Sequence, residues 1–82
     1  MNEQMVEHQM EYNRFVLSQD GHDCVLEYQI SDDRINFSST YVPPELRNHG
    51  LAEKLVRAGL KWARDNGYQI TATCWYVQKF LH

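Results

Sequence analysis

The hydrophobic period of this chain changes at Pro43-Pro44, and the change limits what it can fold into. Before the prolines apolar side chains recur at every second residue; after them they recur at helical spacing. Period two belongs to a half-buried strand and period 3.6 to an amphipathic helix. Neither proline can donate a ladder hydrogen bond, so a strand must end there. Upstream, residues 11–18 (EYNRFVLS) read as a strand with Phe15 and Leu17 on one face. Gln19, Asp20, Gly21 and His22 follow with turn chemistry, Asp-Gly being a strong hairpin signal. Residues 23–30 alternate, with Cys24, Leu26, Tyr28 and Ile30 on one side. After a tight turn at Ser31, Asp32 and Asp33, residues 34–42 make a third strand, with Ile35, Phe37, Ser39 and Tyr41 in phase. Three strands joined by two short turns predict an antiparallel meander. Residues 1–10 sustain no period and are expected to be disordered.

Downstream, Ala52, Leu55, Val56, Gly59 and Ala63 follow one helical stripe, widened by Leu51 and Leu60. Asn66-Gly67 is a strong helix stop. Residues 68–74 return to strand, with Tyr68, Ile70, Ala72 and Cys74 on one face, and residues 75–82 read as a short closing helix. The expected order is βββαβα, an α+β fold. A strand, a crossover helix and a strand make the last two strands parallel neighbours. A chain of 82 residues has room for one core, so residues 11–82 are expected to form a single domain.

Charge is unevenly spread. Residues 1–45 hold nine acids and two bases, a net of −7; residues 46–82 hold two acids and six bases, a net of +4. Arg47, Lys54, Arg57, Lys61 and Arg64 crowd the helical segment. They read either as a solvated helix face or as a local anion site on an acidic protein. A nucleic-acid binder is more often basic throughout, so a small anionic ligand is the better fit and no nucleic acid is expected. No apolar run approaches the roughly 18 residues of a membrane span. No secretory signal is visible at the start, and a cytoplasmic protein is expected. Two cysteines make no disulfide scaffold, and neither they nor the four histidines have metal-ligand spacing, so no metal site is expected. Trp62 and Trp75 are expected to pack in the core or at its rim.

The stretch Arg47-Asn48-His49-Gly50-Leu51-Ala52 feeds the helix N-terminus, where unpaired backbone N–H groups and the positive end of the helix dipole favour an anion. Gly50 allows close approach of a ligand, and Arg47 and Lys54 add charge. The same glycine also fits a plain helix start, and the pattern matches neither the Walker A nor the dinucleotide fingerprint.

Arg-x-x-Gly-x-Ala after a strand and opening an amphipathic helix resembles the acyl-CoA pyrophosphate loop of the GNAT acetyltransferase superfamily. The likeness is closer to its minimal single-domain branch, of the YjdJ type. There a Thr-x-Val-Pro block precedes the loop and a Cys-x-Tyr-Val/Ile block follows the next strand; here these are Thr40-Tyr41-Val42-Pro43 and Cys74-Trp75-Tyr76-Val77. The resemblance implies a minimal GNAT-like fold in which two parallel strands splay apart around an acyl-CoA thioester. It implies pantetheine against Tyr41 and Val42, pyrophosphate on Arg47, Asn48, His49, Gly50, Leu51 and Ala52, and a contact at Tyr76. Acetyl-CoA is then the substrate that carries the acetyl group, and an amine of unknown identity is the acceptor.

The chain departs from that branch at two points. Ser39 stands where the branch commonly has His, a natural general base, and a serine hydroxyl is a poor base at pH 7. A water relay, His8 or Glu27 would have to substitute; a non-catalytic CoA-binding or protein-interaction module is the alternative. Asn48 stands where the branch usually has Gly, although Asn tolerates a left-handed backbone. Cys74 has three readings: a small core residue, a thiol at the reaction centre acting as acid or acyl acceptor, or a partner for disulfide exchange with CoA. Cys24, in phase with Leu26 and Tyr28, reads as core. A monomer or a weak dimer through an exposed edge strand is expected.

Overall fold

The computed structural model describes residues 5–81. Five strands form one sheet in sequence order: β1 (Val6–Gln9), β2 (Arg14–Gln19), β3 (His22–Ser31), β4 (Arg34–Tyr41) and β5 (Gln69–Ala72). The first four are antiparallel and β5 lies parallel to β4. Helix α1 (Leu51–Asp65) crosses over from β4 to β5, and a single turn, α2 (Trp75–Gln78), closes the described chain. The expected α+β class and βββαβα order are both present, with one strand added in front.

That added strand corrects the sequence reading. Val6–Gln9, inside the stretch expected to be disordered, pairs with β2 from Val6↔Leu17 to Gln9↔Arg14; residues 1–4 lie outside the described residues. Its fixing point is His8, stacked on Phe15 at 4.0 Å, with Nε2 2.7 Å from Tyr28 Oη. Periodicity missed the strand because only Val6 and His8 of its four residues alternate toward the core, and one of the two is an imidazole. The predicted start of the next strand also shifts. Met10–Tyr12 form a 3-10 turn, and Asn13 at φ 54 starts the new direction.

The two meander turns hold. Asp20 and Gly21 both have positive φ, as a two-residue hairpin loop of this hand requires, and Asp32 is left-handed in the second turn. The core lies between the sheet and α1. Phe15, Leu17, Cys24, Leu26, Tyr28, Ile35 and Phe37 from the sheet meet Leu51, Leu55, Val56, Leu60 and Ala63 from α1 and Val77 from α2. Helix and sheet approach closely at Gly59, where a Cβ would stand 2.8 Å from Leu26 Cδ2 and 3.1 Å from Phe37 Cε1. Ile30, expected in the core, is 39% exposed at the far end of β3.

The largest departure from the expected pattern is in β4. Tyr28 pairs with Phe37 but Glu27 pairs with Ser39, so Ser38 is the extra residue of a β-bulge. One inserted residue moves every later side chain to the other face. Thr40, opposite Leu26, therefore turns toward the helix side, while Ser39 and Tyr41 turn away from it, out of phase with Ile35 and Phe37.

Candidate functional site

The bulge also ends the pairing of β4 with β5. The parallel register runs only from Arg34↔Gln69 to Phe37↔Ala72. The amides of Thr73 and Cys74 then both donate to the Phe37 carbonyl, at 3.1 and 3.2 Å, and the strands part. Beyond Phe37, β4 keeps β3 on one side and, among the described residues, has no strand on the other. This strand edge faces a cleft of about 570 Å³.

Four segments line this cleft: Thr40, Tyr41 and Val42 at the end of β4; Leu46, Arg47, Asn48 and Gly50 in the loop; Leu51 and Ala52 in the first turn of α1; and Cys74, Trp75 and Tyr76 after β5. The topology thus brings together nine of the eleven residues singled out from the sequence. Ser39 and His49 are exposed and do not line it. Thr40, Leu46 and Trp75 line it without having been singled out. Trp75, expected in the core or at its rim, is 69% exposed as a cleft wall. Thr40 and Trp75 stand inside the Thr40-Tyr41-Val42-Pro43 and Cys74-Trp75-Tyr76-Val77 blocks, which gave them no role of their own, and Leu46 adjoins Arg47.

The loop has the backbone that the sequence suggested. Asn48 has φ 69 and Gly50 φ 74, both left-handed. Left-handed residues interleaved with others turn successive N–H groups toward one side, the geometry of an anion-binding concavity. No side chain caps α1, and the first backbone bond of the turn is Lys54 N–H to Gly50 O at 3.3 Å. The amides of Leu51, Ala52 and Glu53 ahead of it have no carbonyl one turn back. A Cβ on Gly50 would meet nothing within 4 Å, so the space over the loop is open. Arg47 Nε donates to the Val42 carbonyl at 3.1 Å and links loop to strand end.

The basic helix face divides. Arg57 pairs with Glu53 and Lys61 with Asp65, each at 2.7 Å and one turn apart on an exposed surface. Arg57, Lys61 and Arg64 also line a shallow groove of about 320 Å³ with Leu60 and Phe80. Arg47, by contrast, belongs to the cleft.

Cys74 is the cleft residue closest to chemistry. Burial pushes its thiol up, but the Thr40 hydroxyl, 3.4 Å from Sγ, and backbone amides of Val77, Tyr76 and Thr40 favour the thiolate more, and the net shift is downward. Burial, then the Glu53 carboxylate, raise the phenol of Tyr76. Among the described residues no imidazole or carboxylate lines the cleft. His8 is held in an aromatic group with Phe15, Tyr28 and Trp62. Trp62 is eleven residues along α1 from Leu51, or about 16 Å at the helical rise, so His8 does not reach the cleft. Cys24 is fully buried, as expected. Among the described residues no group of histidine, cysteine and acidic side chains could hold a metal ion, and no helix is long and apolar enough to cross a membrane.

Comparison with known proteins gives one family. Residues 14–82 match the family model described as GCN5-related N-acetyl-transferase. The chain is 35% identical to Protein NATD1 of Bos taurus over 79 residues, which cover 93% of this chain and 70% of that protein. It is 34% identical to Protein NATD1 of Homo sapiens over the same shares. Among solved structures, a GCN5-like protein of Staphylococcus aureus determined by NMR superposes with a TM-score of 0.74 at 27% identity, covering 99% of this chain and 80% of that one.

Proposed function

The chain belongs to the GCN5-related N-acetyltransferase family, and we propose that it binds acetyl-CoA in the splayed-strand cleft and passes the acetyl group to a primary amine. The observation that carries this reading is the meeting of a free strand edge and an uncapped helix N-terminus in one cleft. Pantetheine is rich in amides, and the strand-edge backbone about Tyr41 and Val42, which pairs with no second strand on the cleft side among the described residues, supplies complementary groups. The Val42 carbonyl keeps a second lone pair beside the one Arg47 takes. The pyrophosphate lies on the amides of Asn48 to Ala52, with Arg47 beside it. Tyr76 and Trp75 wall the thioester end.

In the reaction the amine nitrogen attacks the thioester carbonyl carbon. A C–N bond forms, the C–S bond breaks, the nitrogen loses a proton and the leaving CoA thiolate gains one. Cys74, at the parting of the strands, donates that proton to the thiolate and regains one from solvent, which receives the amine's. Ser39 lies outside the cleft and takes no proton; water carries the amine proton away. A second reading is favoured by a cleft lining that holds no imidazole or carboxylate among the described residues: a domain that holds CoA without turning it over.

Isothermal titration with acetyl-CoA tests the first step. Binding is expected in the wild type and in Cys74→Ala, and is expected to vanish in Gly50→Trp, whose side chain would fill the loop cradle. No binding at millimolar ligand would sink both readings. Free-thiol release with a panel of amines separates them: binding without release supports the non-catalytic domain. Under the transferase reading Ser39→His raises turnover, by giving the acceptor side a base.

A further inference from the structure

Both helices pack on one face of the sheet, since α1 and α2 share the core formed by Phe15, Leu26 and Phe37. Among the described residues nothing packs on the other face, and the pleat decides what it presents. Leu26 and Thr40 point inward, so their neighbours Glu27, Ser39 and Tyr41 point outward, Glu27 and Ser39 directly opposite each other. Tyr41 is two positions beyond Ser39, within diagonal reach of Glu27. It is 53% exposed and also lines the cleft, so it marks where the cleft opens onto this face.

The surrounding polar side chains are engaged. Gln29 donates to Ser38, and Asn36 joins Gln29, Thr71 and Thr73 in one hydrogen-bonded chain across the root of the splay. Arg14, directly opposite Glu27 on β2, is drawn the other way: its Nε donates to Gln9 at 2.6 Å and its guanidinium lies over the Tyr12 ring. Among the described residues the Glu27 carboxylate therefore forms no ion pair despite a cation in register with it, and the hydroxyls of Ser39 and Tyr41 bond to no other described side chain.

We propose that Glu27, Ser39 and Tyr41 form the acceptor subsite, and that it selects a primary ammonium ion with no acidic group nearby. This rests on the acetyl-transfer reading and names its second substrate by class. An ammonium donates three hydrogen bonds and carries a compact charge. A carboxylate, a hydroxyl acceptor and an aromatic face at one spot match it. The net charge of −7 over residues 1–45, nine acids against two bases, adds a negative field that favours cations and repels anionic amines. Glu27 here anchors the acceptor before it enters the cleft beside Tyr41, rather than drawing its proton.

The test compares 1,5-diaminopentane with 6-aminohexanoate, acceptors of equal reach and opposite far-end charge, by thiol release from acetyl-CoA. The wild type is expected to favour the diamine in kcat/KM by about tenfold. Glu27→Gln raises the diamine KM about threefold with kcat retained, and Glu27→Lys inverts the preference; CoA affinity stays unchanged in both. Equal use of the two amines, or a preference unmoved in Glu27→Lys, overturns the subsite and leaves acetyl transfer standing. If CoA binds and neither amine reacts, the transferase reading fails. The subsite is then decided by amide shifts on titrating the CoA-bound protein with 1,5-diaminopentane. Shifts centred on residues 27, 39 and 41 and absent in Glu27→Gln support a cation site; none there overturns it.

Discussion

Cys74 is pulled in two directions. Partial burial disfavours its thiolate, and the Thr40 hydroxyl with three backbone amides favours it more strongly, leaving the thiol below its ordinary 9.0. Alkylation by iodoacetamide, followed by mass spectrometry, is expected to modify Cys74 with a pH midpoint below that of a free thiol. Thr40→Val should move the midpoint upward. Cys24 should stay unmodified in the folded protein, because it is fully buried and burial, then Asp23, raise its thiol. Equal labelling of both cysteines would contradict this account. Trp75, 69% exposed on the cleft wall, should report CoA by fluorescence, whereas Trp62, held among His8, Phe15, Tyr28 and Tyr68, should not. A CoA response that survives Trp75→Phe would place the ligand elsewhere.

At the scale of elements, β1 and α1 are each held by one unusual contact. For β1 it is His8, whose imidazole is lowered from 6.5 by burial. A histidine whose folded value lies below its unfolded one binds fewer protons in the native state, so stability rises with pH in that window. The contribution is present above about pH 6.5 and is lost as the pH falls below it toward the folded value. Urea unfolding at pH 7.5 and 5.5 should show lower stability at 5.5, and His8→Phe should reduce the difference. For α1 the contact is Gly59, where side chains of both β3 and β4 occupy the space a Cβ needs. Gly59→Val should cost about 2 kcal/mol through overpacking. An unchanged urea midpoint would show that the helix can lift without penalty.

At the scale of the molecule there is one core, shared by all five strands' sheet and both helices. Unfolding should therefore be a single transition by circular dichroism and by Trp62 fluorescence alike. Acetyl-CoA at about a hundred times its Kd should add about 2.7 kcal/mol by mass action. In a domain of this size that is a rise in Tm of about 10 to 20 °C. Two non-coincident transitions would mean that β1 or α2 melts apart from the rest. The charge division also takes on a shape: the bases of α1 and its loop lie on the helix side, and Glu27 lies on the open face. Under the proposed reading, anionic acyl-CoA and a cationic amine approach one cleft from two sides.

Much of this was legible along the chain because local periods and punctuation are short-range. The meander turns at Asp20-Gly21 and Asp32, the helix from Leu51 with its buried stripe, its stop at Asn66-Gly67 and the left-handed Asn48 all follow from a few adjacent residues. The cleft residues near Gly50 were legible for the same reason: a glycine loop meeting a helix start is a local object. What the sequence could not determine depends on partners distant along the chain. The bulge at Ser38 exists because Glu27 and Tyr28 hold two successive registers, and it alone reversed the faces of Ser39 and Tyr41. The strand at Val6–Gln9 exists because a hairpin and a helix place Phe15, Tyr28 and Trp62 around His8. The sequence by itself determined the elements and the loop chemistry; only the tertiary structure decided which face each side chain of β4 serves, because facing is a property of paired strands and not of one.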